Sequence, residues 1–205
     1  MKRIIVAIVA VMATIGVSAQ DLRYGVTGGI NFSWERAKAG GVGVSSDSYI
    51  GFQAGVKAEM DLSTYIMDGF YAEGSLLYNL KGGSYADSHS NLGYLQLPVN
   101  FGYRYSVADS FAIIGSLGPY FGLGILGKDV TKVDGSKLKT DVFGKRLQRF
   151  DFGLNYKVGV EMWDKWQFYL GFEHSLLNLS KTEKGVADGI KTKVTNFYIG
   201  TALMF

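Results

Sequence analysis

The sequence predicts an all-β protein, an eight-stranded antiparallel up-and-down transmembrane β-barrel that follows a cleaved signal peptide. Three observations predict this fold class. The N-terminus has the layout of a secretory signal, the rest of the chain alternates apolar and polar residues over long segments, and the connections between these segments alternate between long and short. Bacterial outer-membrane barrels combine an even number of alternating strands with short turns on one side and long loops on the other.

The first 19 residues are predicted to be the signal peptide, which leaves residues 20–205 as the outer-membrane β-barrel domain. A basic Lys-Arg pair precedes an uncharged apolar run at 4–13, and Val-Ser-Ala at 17–19 supplies the small residues of a cleavage site. The alternative, a membrane-spanning helix, needs roughly 20 apolar residues, and this run is shorter. The pattern therefore indicates export through the inner membrane of a Gram-negative cell envelope.

The composition excludes several classes of site. The chain has no Cys and only two His, so we expect no disulfide, no thiolate chemistry, no metal site and no cofactor. A formal net charge of +3 gives no argument for a nucleic-acid partner. An aromatic content of 14% with 28 Gly and only 2 Pro favours β structure.

The alternation of residues identifies the strands. From 150 to 162 the even positions are all apolar, whereas the odd positions are Asp, Gly, Asn, Lys, Gly and Glu. The segment 50–60 repeats this pattern, which has the period of two that is typical of a strand. The same test predicts eight strands, at about 23–33, 49–60, 70–81, 92–105, 110–125, 149–162, 166–177 and 194–205.

The lengths of the strands and of their connections favour a membrane barrel. Each strand is at least about as long as the 9–11 tilted residues that cross a bilayer. The connections 34–48, 82–91, 126–148 and 178–193 are long, and 61–69, 106–109 and 163–165 are shorter. With short turns in the periplasm, this order places both ends of the mature chain there. The alternative is a soluble lipocalin-like barrel, in which the apolar face would point inward.

The last strand ends in apolar residues at alternate positions, with Phe205 at the C-terminus. Phe197, Ile199 and Leu203 precede it on the same face. A terminal aromatic strand of this kind is similar to the signal by which barrel-assembly machinery recognises its clients. We therefore expect these four residues to act as an assembly signal.

Several short motifs resemble the PorT-like outer-membrane β-barrel family of Bacteroidetes. They are Tyr-Leu-Gln-Leu-Pro at 94–98, Gly-Pro-Tyr at 118–120, Phe-Asp-Phe-Gly at 150–153 and the Val-Ser-Ala-Gln end of the leader. The resemblance covers nearly the whole mature chain. It implies a barrel fold in the outer membrane and no catalytic residues, and one member of the family is associated with protein secretion.

The inward face of the predicted barrel carries balanced charge. Its charged residues are Lys57, Glu59, Glu73, Arg104, Arg149, Asp151, Lys157, Glu161 and Glu173. An eight-stranded barrel is just wide enough for side chains to fill its interior, and charges removed from water require partners. Turns centred near 65 and 165 would place Lys57 opposite Glu73 and Lys157 opposite Glu173. We expect these to form two lumen ion pairs.

Catalysis is not expected. His89 lies in a polar segment, and alternation sends His174 to the lipid side while Glu173 and Ser175 point inward, so the three cannot readily converge. The sequence therefore predicts a small, largely closed barrel with a structural or interaction role in the cell envelope. The alternatives are a narrow channel, a lipid-modifying membrane enzyme and a soluble lipocalin-like carrier.

The expected partners follow from the location. They are outer-membrane lipid, lipopolysaccharide, the barrel-assembly machinery and an unidentified envelope protein. The loops 126–148 and 178–193 are net basic, which is typical of solubilising charge but would also attract lipopolysaccharide phosphates or an acidic partner.

Overall fold

The computed structural model describes residues 22–39, 42–85, 88–133, 136–181 and 191–205, so the predicted signal peptide lies outside the described residues. The described residues form ten β-strands. They are β1 (Leu22–Ala39), β2 (Val42–Ser45), β3 (Tyr49–Asp61), β4 (Phe70–Tyr85), β5 (Ser88–Ala108), β6 (Phe111–Val133), β7 (Ser136–Asp141), β8 (Phe150–Met162), β9 (Trp166–Ser175) and β10 (Lys191–Met204). No helix in these ranges is long and apolar enough to cross a membrane.

All strand pairs are antiparallel, and the sheet closes on itself. The order around the ring is β1, β3, β4, β5, β6, β8, β9 and β10, and β10 pairs again with β1. The seam is long, because β10 pairs with β1 from Gly25 and Met204 to Lys38 and Lys191. Closure removes the free edges that an open sheet would expose.

The prediction of eight strands was too low for the described chain. The two additional strands lie in predicted loops, where β2 pairs with the end of β1 and β7 pairs with the end of β6. Each of the eight predicted segments contributes one strand to the ring. The extensions of β1 to Ala39 and of β6 to Val133 lack apolar alternation, so the pattern gave no signal for them.

The two faces of the barrel have opposite polarity. Outward residues such as Val26, Phe52, Val56 and Val158 are about half exposed, whereas the inward positions are polar and buried. The lipocalin-like alternative requires the reverse arrangement. We call the end with the connections 62–69, 109–110 and 163–165 the short-turn end, and the opposite end the long-loop end.

The predicted strand register was wrong by two residues in two hairpins. Lys57 lies opposite Ser75, not Glu73, and Lys157 lies opposite Gly171, not Glu173. A shift of two leaves every residue on its own face, so alternation does not distinguish the two registers. In the β8–β9 hairpin, the cause is a three-residue turn centred on Asp164, in which Trp163 and Asp164 have left-handed φ angles of 53° and 56°.

Candidate functional site

Apart from Glu35 of β1, which binds Arg146 of a long connection, the described strands contribute equal numbers of cationic and acidic side chains to the barrel lumen. The cations are Arg23, Lys57, Lys81, Arg104 and Lys157, and the acids are Glu59, Glu73, Asp151, Glu161 and Glu173. Burying a charge is costly unless it is paired and hydrogen-bonded. The contacts of these ten residues therefore determine what the lumen can do.

Glu73 lies at the centre of the lumen and binds two lysines. Its carboxylate oxygens lie 2.6 Å from Lys157 Nζ and 2.7 Å from Lys57 Nζ. Asn100 and Ser116 donate to the same carboxylate at 2.9 and 2.8 Å. The Glu73 side chain is only 2% exposed, so this central cluster is removed from bulk solvent.

A second cluster lies toward the short-turn end. Glu59 and Glu161 lie between Arg23 and Arg104, with four N–O distances of 2.6 to 2.9 Å. Gln167 donates to both carboxylates and accepts from Lys57 of the central cluster at 2.6 Å. The two clusters therefore form one continuous polar network. A cavity of about 250 Å³ lies beside the arginines.

Glu173 is the centre of the polar network in the long-loop half of the lumen. Lys81 Nζ lies 2.5 Å from its carboxylate, and Gln96 and Asn196 donate to it. Lys81 also lies 4.8 Å from the ring centroid of Tyr120. Ion pairing and cation–π contact together stabilise this buried lysine.

Asp151 forms a smaller group at the same depth. Its carboxylate accepts hydrogen bonds from Tyr120 at 3.0 Å and from Ser175 at 2.6 Å. Asp151 is 1% exposed. The interior is thus occupied by bonded side chains through the long-loop half as well.

Residues 142–147, which we call the plug, pack against the barrel wall at the long-loop end. Val142 and Leu147 of the plug are fully buried, and so is Leu179 in the connection between β9 and β10. Phe143 packs edge-on against Tyr94 inside the barrel, with ring centroids 5.4 Å apart. These side chains belong to one small hydrophobic core at the long-loop end of the lumen.

Arg146 anchors the plug to the barrel wall. Its guanidinium lies 2.8 Å from Glu35 of β1 and 3.0 Å from Asp129 of β6, and it donates to Ser90. Burial alone would lower the pKa of Arg146, but hydrogen bonding and charge from Glu35, with Asp129 beside it, raise the pKa above its usual value. Arg146 therefore stays charged and holds the plug to two strands.

Four inward tyrosines lie over glycines on neighbouring strands. Each tyrosine is the register partner of its glycine: Tyr71 with Gly102, Tyr120 with Gly153, Tyr169 with Gly200 and Tyr198 with Gly171. A Cβ atom on Gly171 would lie 2.0 Å from a ring carbon of Tyr198. Only glycine leaves room for the ring at these positions.

The structure brings together some of the predicted lumen residues and separates others. Lys57 lies within ion-pair distance of Glu73, diagonally rather than directly across the hairpin. The predicted pair of Lys157 with Glu173 is wrong, because Lys157 contacts Glu73 and Glu173 contacts Lys81. The two-residue shift of the β8–β9 register separates the predicted partners.

Among the other predicted lumen charges, Arg149 was placed wrongly. Glu59, Asp151 and Glu161 are buried in the lumen, and Arg104 is part-buried beside them. Arg149 is exposed, because it precedes β8 at the long-loop end and its guanidinium donates to the Gly124 carbonyl. Strand alternation does not apply beyond the end of the strand.

Three charged residues of the site were not predicted from the sequence. Lys81 and Glu73 are an even number of residues apart on β4, so strand alternation places both on the inward face. Arg23 is the first residue of the first predicted strand, and alternation places it on the inward face in the same way. Glu35 lies on the extension of β1, where the apolar pattern had already ended. Its partner Arg146 lies in the plug between β7 and β8, and no pattern in the sequence predicts that the two residues meet.

The residues with potential chemical reactivity do not converge. His174 is half-buried and contacts Thr195, whereas Glu173 and Ser175 lie in the lumen. Within the described ranges, no group of three or more acidic or histidine side chains has the arrangement of a metal site.

Three of the predicted assembly residues lie on the outer face of β10, and the fourth, Phe205, directly follows the strand. Ile199 is 50% exposed and Phe205 is 74% exposed, with Phe197 and Leu203 on the same face. Their role in assembly stays a prediction.

Comparison with protein families gives one match that covers nearly the whole chain. The family described as outer membrane protein beta-barrel domain matches residues 5–205. No curated protein sequence matches the chain.

Three solved structures are similar to the chain at low identity. Ail, the attachment invasion locus protein of Yersinia pestis, is 16% identical over 89% of this chain and 98% of its own, with a TM-score of 0.44. Neisserial surface protein A is 13% identical over 88% and 97%, with a TM-score of 0.44. OprG of Pseudomonas aeruginosa is 15% identical over 89% and 95%, with a TM-score of 0.46.

Proposed function

This chain belongs to the outer membrane protein β-barrel domain family, and on that premise we propose that it is a largely closed barrel with a structural or interaction role in the bacterial envelope. The observation that carries the proposal is the lumen. Its charges are held in short ion pairs and hydrogen bonds, and the plug packs against the barrel wall at the long-loop end. Such an interior supports a rigid scaffold better than a pathway for solutes.

The alternative of a narrow channel requires these contacts to break. An ion that moved along the axis would meet Glu73 with both of its lysines, and then Glu173 with Lys81. Separating buried partners costs several kcal/mol. The same polar groups are engaged with one another rather than aligned around a substrate, so we also propose that the chain is not an enzyme.

We predict that the purified chain carries no steady current across a planar lipid bilayer. Removal of the plug by deletion of residues 142–147 should also leave the barrel closed, because the central cluster still fills the lumen beneath it. The measurement is single-channel recording. A steady, large conductance from the unmodified chain would contradict the closed barrel and support the channel.

The orientation in the membrane belongs to the same proposal. We propose that the predicted signal peptide 1–19 is removed, and that both ends of the mature chain lie in the periplasm with the short turns. The envelope partners expected from the sequence remain outer-membrane lipid, lipopolysaccharide, the barrel-assembly machinery and an unidentified protein. A PorT-like role in secretion rests on the motif resemblance alone.

Cysteine labelling tests this orientation, because the chain contains no Cys of its own. Lys139 in β7 and Tyr65 in the 62–69 connection are both exposed. Lys139→Cys should react with a membrane-impermeant maleimide on intact cells, and Tyr65→Cys only after permeabilisation. The opposite pattern would show that the long-loop end faces the periplasm.

A further inference from the structure

Four cations form a patch on the outer surface near the seam of the barrel, at the long-loop end. Arg36 of β1 lies directly opposite Lys193 of β10, and Lys38 lies directly opposite Lys191. Directly opposed residues have Cβ atoms about 4.5–5.5 Å apart, and like charges at this distance destabilise a sheet. We call these four residues the seam patch.

The seam patch lacks a compensating acid in the part of the chain that the structure describes. None of its four side chains lies within 4.0 Å of a carboxylate there. On the other side of β1, Arg36 faces Ser45 and Lys38 faces Gly43, neither of which carries charge. Three of the cations are exposed and Lys193 is half-buried. No acid among the described residues relieves the repulsion within the patch, and an anion from outside would relieve it.

The surface below the seam patch is layered. Its first layer is aromatic, with Phe32 packed 6.2 Å from Phe197 and Trp34 packed 6.4 Å from Phe172. Farther toward the short-turn end, the same face is apolar, with Ile30 beside Ile199. One continuous face thus changes from apolar to aromatic to cationic.

The distances along β1 match the layers of a bilayer. Tyr24 and Trp34 are both outward-facing, and a strand rising about 3.3 Å per residue at a tilt of about 40° places them about 25 Å apart in depth. This is the height of the apolar band between the aromatic girdles of a membrane barrel. Arg36 and Lys38 then lie about 5 and 10 Å beyond the girdle, in the headgroup layer.

We propose that the seam patch binds the phosphate groups of lipid A in the outer leaflet. This proposal rests on the proposed function, because it needs the long-loop end to face outward. A phosphorylated lipid satisfies both parts of the face, since its acyl chains contact the apolar and aromatic layers while its phosphates meet the cations. The guanidinium of Arg36 offers the paired donors that suit a phosphate, and the lysines supply further charge. A soluble polyanion would use only the cationic part.

Binding of labelled lipid A to the purified full chain in neutral detergent micelles tests this proposal. Bis-phosphorylated lipid A should bind, and the same lipid without phosphates should bind much more weakly. The triple change Lys38→Gln, Lys191→Gln and Lys193→Gln should weaken binding on the order of a hundredfold, because three of the four cations no longer attract the phosphates.

The matched control removes three exposed lysines elsewhere at the same end. Lys128→Gln, Lys139→Gln and Lys145→Gln make the same change in net charge, and lipid A binding should change little. Equal losses in the two triple variants, or equal binding of the lipid without phosphates, would overturn the lipid site. Inorganic polyphosphate that binds as tightly as lipid A would overturn it in favour of a soluble polyanion.

The two proposals fail in different ways. A barrel that inserts into vesicles and stays closed, yet does not distinguish the two lipids, refutes the seam patch as a lipid A site and leaves the proposed function intact. Steady conductance through the unmodified barrel refutes the proposed function, whereas the difference between the triple variants still reports on the patch.

Discussion

Glu73→Gln is expected to destabilise the barrel by about 3–5 kcal/mol, because removing one partner of a buried ion pair strands the other charge. Lys57 keeps Glu59 at 2.7 Å and Gln167 at 2.6 Å in this variant. Lys157 has no such second carboxylate, since both of its ion-pair contacts are with Glu73. The measurement is the free energy of unfolding in urea, with the chain refolded into lipid vesicles.

The matched control combines Glu73→Gln with Lys157→Met. This double variant should regain much of the lost stability, because the stranded cation is replaced by an apolar side chain of similar length. Neither variant should conduct ions, since Asn100 and Ser116 still fill the space around position 73. A double-mutant cycle without coupling between positions 73 and 157 would show that this ion pair does not stabilise the barrel.

Val158→Arg is expected to cost about 2–4 kcal/mol of stability in the membrane, which is typical of an arginine on the lipid face near the midplane. Val158 lies near the middle of β8 and is 56% exposed on the outer surface. Folding efficiency into vesicles and the fraction of heat-modifiable protein on a gel both report this loss.

The same substitution at Val107 serves as its control. Val107 is 54% exposed but lies at the end of β5, beside the 109–110 turn at the short-turn end. Val107→Arg should cost about 0–1 kcal/mol, because an arginine near the interface reaches water. If the two variants lose equal stability, the outer face of β8 is not in contact with lipid.

The sequence predicted the barrel because its alternation is a local property. In 150–162, every residue keeps the predicted face, and Asp151 and Glu161 are buried in the lumen accordingly. Strand register is not local in this sense, since a slip of two residues preserves both faces. Lys157 was therefore placed on the right face but assigned the wrong carboxylate.

The packing of the plug at the long-loop end could not be predicted from the sequence, for a different reason. Val142 and Leu147 lie in a loop without periodicity, and only the folded chain shows that both are fully buried. Arg146 meets Glu35 across 111 residues of sequence, a contact that neither strand alternation nor turn length encodes. Lys81 differs from these residues. Strand alternation places its side chain on the inward face, and only the identity of its partner, Glu173, had to come from the structure.

The tyrosines that lie over glycines have a consequence for how sequences of this kind diverge. A larger residue at Gly171 collides with Tyr198, and one at Gly200 collides with Tyr169, so β9 and β10 constrain each other in both directions. Substitution of one residue of such a tyrosine–glycine pair is restricted as long as the other residue is unchanged. We therefore expect substitutions at the two positions to be correlated during evolution. Because the partners are directly opposed, such covariation would record the strand register that alternation leaves ambiguous.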